Sequence, residues 1–108
     1  MIFITDSSEV QLTEINALYF YTAEVIFHTK FISSLAIIEK TYPTISFFAL
    51  DLSNFPTLIK KYKIDSLPTI LLFNRKGKKL KQIIGTHSTN EIKDVFEKIY
   101  NKTNKVIQ

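Results

Sequence analysis

The sequence predicts a single α/β domain built on a mixed sheet. Three observations predict it. Short, strongly apolar runs alternate with stretches of helical periodicity along the 108 residues. That alternation demands right-handed parallel crossovers. Towards the end, two strand-like runs flank a short Gly-containing turn, which adds an antiparallel pair at one side of the sheet. The length is that of one domain, able to bury roughly two-thirds of its unfolded surface in one core.

Each element has its own local reason. Ile2-Phe3-Ile4 reads as a first strand. Asp6, Ser7 or Ser8 would cap a short helix to about residue 14, with Glu9 three places after Asp6 as in a capping box. Ala17 to Thr22 is aromatic and apolar without alternation, as in a strand covered on both faces. A long helix is expected from about Ala23 to Thr41, because Phe27, Phe31, Leu35, Ile38 and Tyr42 recur every three or four residues. Tyr42-Pro43 ends it, since the residue before a proline avoids helical angles. Ile45 to Leu52 is a further buried strand. Asn54 would then cap a helix with Pro56 in its first turn, running to about Tyr62 with Leu58, Ile59 and Tyr62 inward.

Leu67 to Phe73 forms the next strand, opening on Pro68, and Asn74 to Lys78 turns the chain with Gly77 free to take positive φ. Leu80 to Ile84 pairs back as an edge strand whose lysines discourage edge-to-edge association. Ser88 or Thr89, followed by Glu91, starts the last helix, with Ile92, Val95, Phe96 and Ile99 as its inward stripe. From about Asn101 the chain is polar and expected to fray. The expected organisation is one domain over residues 1–102 and a polar tail over 103–108.

Composition narrows the chemistry. The chain is 45% hydrophobic and 22% charged, as in ordinary globular domains, and its nine Phe and five Tyr argue against disorder. It has no cysteine, which excludes disulfides, thiolate nucleophiles and zinc–thiolate sites. No run approaches the ~20 apolar residues a membrane-spanning helix needs. The opening Met1 to Asp6 lacks a basic leader, so a cytoplasmic location is expected. Richness in Lys, Ile and Asn with two glycines points to an AT-rich genome, as in a bacterium, phage or plasmid. Net charge is +4 but uneven: residues 1–51 hold two Lys against six acids, a net of −4, and residues 52–108 carry the excess. Arg75, Lys76, Lys78, Lys79 and Lys81 put five positive charges within seven residues. This hairpin is a candidate contact for an anionic partner, whether acidic protein, membrane surface or nucleic acid. Nucleic acid is the least favoured, because no aromatic residue interleaves with these cations to stack on bases.

The element order and several local residues resemble the thioredoxin family over roughly residues 1–102. Leu67-Pro68-Thr69, preceded by Tyr62-Lys63-Ile64, is similar to that family's Ile/Leu-Pro-Thr signature and its preceding Tyr-Gly-Ile or Tyr-x-Val. Asp51-Leu52-Ser53, Pro56 and Gly85 fall at matching places. The resemblance implies a thioredoxin fold: a five-stranded mixed sheet in the order 1-3-2-4-5 flanked by four helices, with Pro68 cis. It also implies where the redox motif Trp-Cys-Gly-Pro-Cys-Lys would lie. Aligned on Ala23-Glu24 and Lys30, Ile26 and Thr29 stand at the two cysteine positions, and Phe27-His28 at Gly-Pro. A one-residue offset places Val25 and His28 there instead. Either way both thiols are missing, and Phe20 takes the place of the family's buried proton-handling aspartate. Thiol exchange needs a low-pKa thiolate and a second thiol to resolve the mixed disulfide, so a redox enzyme is not expected.

What the resemblance leaves is a surface. Val25, Ile26, Phe27 and His28 beside Leu67 and Pro68 would hold a protein or peptide partner, because in the family the loop before the cis-proline runs along extended substrates. The expected roles are adaptor, chaperone-like module or assembly subunit, with no cofactor and no metal. His28 and His87 are too far apart in sequence to read as a metal pair, and His28 and Thr29 are helix neighbours that do not face each other, which disfavours a hydroxyl nucleophile. The oligomeric expectation is a monomer or a weak homodimer.

Overall fold

The computed structural model describes residues 1–4, 12–22, 28–85 and 87–104. The elements are β1 (Ile2–Phe3), β2 (Ile15–Tyr21), α1 (His28–Thr41), β3 (Ile45–Asp51), α2 (Thr57–Lys61), β4 (Thr69–Asn74), β5 (Lys79–Ile84) and α3 (Thr89–Asn104). One five-stranded sheet results, in the order β1-β3-β2-β4-β5. β2 lies at its centre, parallel to β3 (Leu18 opposite Phe48) and antiparallel to β4 (Leu18 opposite Leu71). β4 and β5 are antiparallel, with an irregularity at Leu72/Phe73 that leaves Leu80 without a register partner.

The unbroken apolar runs of β2, β3 and β4 follow from a sheet covered on both faces. Alternation sends Ala17, Tyr19, Phe47, Ala49, Ile70 and Leu72 to one side, where they meet Phe31, Leu35 and Ile38 of α1 and Ile92 and Phe96 of α3. The Phe47 and Phe96 rings stack at 5.4 Å, and those of Tyr19 and Phe31 at 5.3 Å. The other side gathers Leu18, Phe20, Phe48, Leu50 and Leu71 with Ile4, Leu52, Leu58 and Ile64. The helical stripe read from α1 is buried at Phe31, Leu35 and Ile38, while Tyr42 stops just beyond the helix and packs its ring 4.9 Å from Tyr100.

Four local expectations differ from the structure. The helix expected over residues 6–14 falls mostly outside the described residues, and its described end, Leu12 to Glu14, is not helical. The reason is Asn16, which is fully buried. Its Oδ1 accepts from the Thr13 amide at 2.8 Å, and its Nδ2 donates to the Thr13 carbonyl at 2.8 Å and the Phe73 carbonyl at 3.3 Å. The segment before β2 is thereby tied to β4 in a non-helical path. Three helices, rather than four, stand among the described residues.

Asn54 does not cap α2, whose N-cap is Pro56 without a side-chain hydrogen bond. The turn after β3 takes the Asn54 amide instead, which donates to the Asp51 carbonyl at 3.0 Å, while Asp51 Oδ1 accepts from the Ser53 amide at 2.9 Å. Ile59 is 44% exposed rather than inward, because a five-residue helix buries only Leu58. Finally, α3 continues past Asn101 as far as Asn104. Its start follows the capping box: the Ser88 amide donates to Glu91 Oε1 at 3.0 Å, and the Glu91 amide to Ser88 Oγ at 3.2 Å.

Candidate functional site

The loop joining α2 to β4 is shaped by three backbone features. Lys63 holds a left-handed conformation, φ 54°, at the end of α2, and the Ile64 amide then donates to the Ile59 carbonyl at 2.9 Å. This reversal buries Ile64 and exposes Asp65 and Ser66. The Leu67–Pro68 bond is cis. Thr69 Oγ1 donates to the Ser66 carbonyl, and the Gly85 amide donates to the Pro68 carbonyl at 2.9 Å, fastening both ends of the loop. Proline has no amide to give, so the β4 ladder begins at Thr69 rather than Leu67.

Beside this loop lies an open groove of about 400 Å³, lined by Leu52, Ile59, Ile64, Asp65, Ser66 and Leu67. Four of the six are aliphatic, with one carboxylate and one hydroxyl at the mouth. Sequence reasoning missed that Leu52, Ile59 and Ile64 line this groove, Leu52 and Ile64 from buried positions and Ile59 from an exposed one. The signal was the shortness of the segment between Pro56 and Tyr62, too brief for two adjacent apolar residues both to face inward.

Of the residues expected to bind a partner, Pro68 is buried and Leu67 half-buried on this loop. Val25, Ile26 and Phe27 lie outside the described residues, and His28 is the first residue of α1. β2 reaches the same region through Tyr21, opposite Asp51 on β3, and the Leu52 amide donates to the Tyr21 carbonyl at 2.8 Å. Burial, and after it the Asp51 carboxylate, raises the Tyr21 phenol. Burial likewise pushes the Tyr19 phenol far up, with Tyr21 adding to it. Both rings, stacked at 5.2 Å, therefore stay neutral at physiological pH. Phe20, where the resemblance sets an aspartate, is fully buried with its ring 5.3 Å from Tyr62, itself 5.7 Å from Phe73. An aromatic cluster thus occupies the ground of an acid.

The five cations of the hairpin are all exposed. Arg75, Lys76 and Lys78 lie past the end of β4 remote from Pro68, while Lys79 and Lys81 stand on β5 opposite Phe73 and Leu72. A second groove, about 320 Å³, runs between β5 and α3 and is lined by Ile83, His87, Glu91, Ile92, Asp94, Val95 and Lys98. His87 Nε2 lies 2.8 Å from the Ile84 carbonyl and Nδ1 3.5 Å from Glu91 Oε2, so both ring nitrogens are engaged in structure. Among the described residues no three His, Cys, Asp or Glu side chains gather where they could hold a metal ion. Among the described residues no helix is long and apolar enough to cross a membrane.

Comparison with known proteins agrees with this geometry. The family model for Thioredoxin matches residues 7–98. A search of curated proteins finds no match. Among solved structures, the oxidised thioredoxin of Plasmodium falciparum superposes with a TM-score of 0.82 at 19% identity, covering 92% of this chain and 97% of that one. Thioredoxin from Trypanosoma brucei brucei gives 0.82 at 16% identity, covering 94% and 91%. Thioredoxin O2 from Arabidopsis thaliana, in its oxidised state, gives 0.80 at 18% identity, covering 92% and 93%.

Proposed function

The chain belongs to the thioredoxin family and carries no cysteine, and we propose that it is a non-catalytic binding protein that holds a protein or peptide partner on the face where its relatives carry their thiols. Thiol–disulfide exchange is absent for want of a sulfur nucleophile. The binding residues are Val25, Ile26, Phe27 and His28 on one side and Leu67 and Pro68 on the other.

The observation that carries this reading is the apolar groove at Leu52, Ile59, Ile64 and Leu67 beside the Leu67–Pro68 loop. An extended segment laid along the exposed Asp65 and Ser66 has aliphatic side chains to bury against, as in strand-like peptide capture. A partner side chain of Leu or Val size gains roughly 1.5–3 kcal/mol on full burial in such a groove. The role is that of an adaptor, chaperone-like module or assembly subunit working in the cytoplasm, as a monomer or a weak homodimer.

Site-specific photocrosslinking tests it. Benzoylphenylalanine placed at Phe27 and at Ile59 is expected to trap the same partner, and the same group at Lys102 on α3 is not. Crosslinks from Lys102 alone would overturn the reading. In a parallel insulin-reduction assay, turbidity with the protein is expected to match that of the reductant alone.

A further inference from the structure

We propose that β5 and the turn before it dock an extended acidic segment of a protein partner by strand addition. The surface adjoins the Pro68 loop at Ile84, opposite Thr69, but neither reading requires the other.

The argument starts from charge. From Ser66 through Asn90 the chain has no Asp or Glu, while Arg75, Lys76, Lys78, Lys79 and Lys81 fall within that stretch. Among the described residues only Arg75 has a carboxylate partner, Glu14 at 3.2 Å, and both side chains are well exposed. Lys79 Nζ donates to Gln82 Oε1 at 3.3 Å, a neutral partner. The remaining three lysines make no ion pair among the described residues. A cluster this one-sided raises the local concentration of anionic groups and speeds their encounter.

The cluster is also held in place. Asn74 Oδ1 accepts from the Lys76 amide at 3.0 Å and the Lys78 amide at 2.9 Å, the Asn74 amide donates to the Lys78 carbonyl at 3.0 Å, and Gly77 supplies the positive φ of 82° that closes the turn. The cations stand on a formed hairpin, so a ligand does not have to order the backbone beneath them.

The shape of the surface selects the ligand. β5 ends the sheet, and among the described residues nothing pairs with its outer edge. From Lys81 to Ile84 its register with β4 is regular, and the irregularity lies beyond, at Leu80. An added strand of about four residues therefore finds regular unpaired amides and carbonyls. Its carboxylate meets Lys81 on one face and its apolar residue meets Ile84, 48% exposed, on the other, while Lys79 and the turn cations add attraction from beyond the irregularity. The same lysines repel a second copy of this edge. Residues 74–84 offer no exposed aromatic ring on which a base could stack, and residues 74–79 offer no large apolar side chain to enter a bilayer. Of the anionic partners, an acidic peptide alone uses both the charge and the edge.

The test uses a fluorescein-labelled peptide of alternating Glu and Val read by anisotropy, with its N-methylated form, a single-stranded oligonucleotide and phosphatidylserine-containing vesicles as competitors. The expected result is saturable binding that weakens about tenfold or more in the variant Lys79→Glu with Lys81→Glu and falls with added salt. N-methylation is expected to abolish it, with slowed amide exchange at residues 81–84 in the complex. A Lys79→Gln, Lys81→Gln variant is expected to fall between. No binding, equal binding of the N-methylated peptide, or stronger competition by the oligonucleotide or the vesicles would each overturn the proposal.

Discussion

Asn16 shows how much one side chain can decide. It makes four hydrogen bonds of 2.8 to 3.3 Å from a fully buried position, so Asn16→Ala leaves the Thr13 amide and carbonyl and the Phe73 carbonyl short of partners. A loss of about 2 kcal/mol is expected in urea unfolding, within the range for orphaned buried polar groups. A change under about 0.5 kcal/mol would mean water replaces the side chain. Lys63 makes the opposite case. It occupies a left-handed backbone, φ 54°, so Lys63→Gly is expected to stabilise by about 0.5–1 kcal/mol, the relieved strain exceeding the added chain entropy. The readout is a melting temperature raised by a few degrees. Neither feature was legible beforehand. An asparagine in an apolar run looks like a strand boundary, and a lysine carries no sign of positive φ.

At the scale of elements, the capping box of α3 was legible, because Ser88 and Glu91 fall at its spacing just before the apolar stripe. The structure adds a pH dependence. The Ser88 amide, then the Ser88 hydroxyl and His87, hold the Glu91 carboxyl below its ordinary value. A depressed carboxylate contributes stability above the unfolded-state value and loses it as pH falls through the folded value. Wild-type protein should therefore be more stable than Glu91→Ala at neutral pH, and the difference should close on acidification below the usual carboxylate range. Ser88→Ala should cost about 1 kcal/mol as a lost cap. The N-terminus of α3 is also pinned sideways, since Thr89 Oγ1 and Ser34 Oγ of α1 lie 2.7 Å apart. The strands were legible for a different reason: β2, β3 and β4 are apolar on both faces, and only a doubly covered sheet accounts for that. α2 was the least legible element. Five residues cannot show a periodicity, and so the exposure of Ile59, on which the groove depends, did not emerge from spacing.

For the whole molecule, fold and chemistry separate. The fold persists with under one residue in five shared with the solved thioredoxins compared above. Packing explains the persistence: Phe47 on Phe96, Tyr19 on Phe31 and Phe20 on Tyr62 fill the two cores with rings. The thiols on which redox exchange depends are what the chain lacks. The loss of thiols was plain from composition. Which surface binds was not, because the groove depends on Ile59, whose exposure a five-residue helix gives no periodicity to show.

The most direct measurement is capture of partners from native lysate at high salt by wild-type protein, by Ile26→Glu with Phe27→Glu, and by Lys76→Glu with Lys79→Glu. High salt screens the hairpin and leaves apolar contact intact. The account predicts a partner retained by the wild type and by the lysine variant and lost with the Ile26 and Phe27 substitutions. A partner that survives those two substitutions and is stripped by salt or by the lysine reversals would contradict it and move the working surface to the basic hairpin.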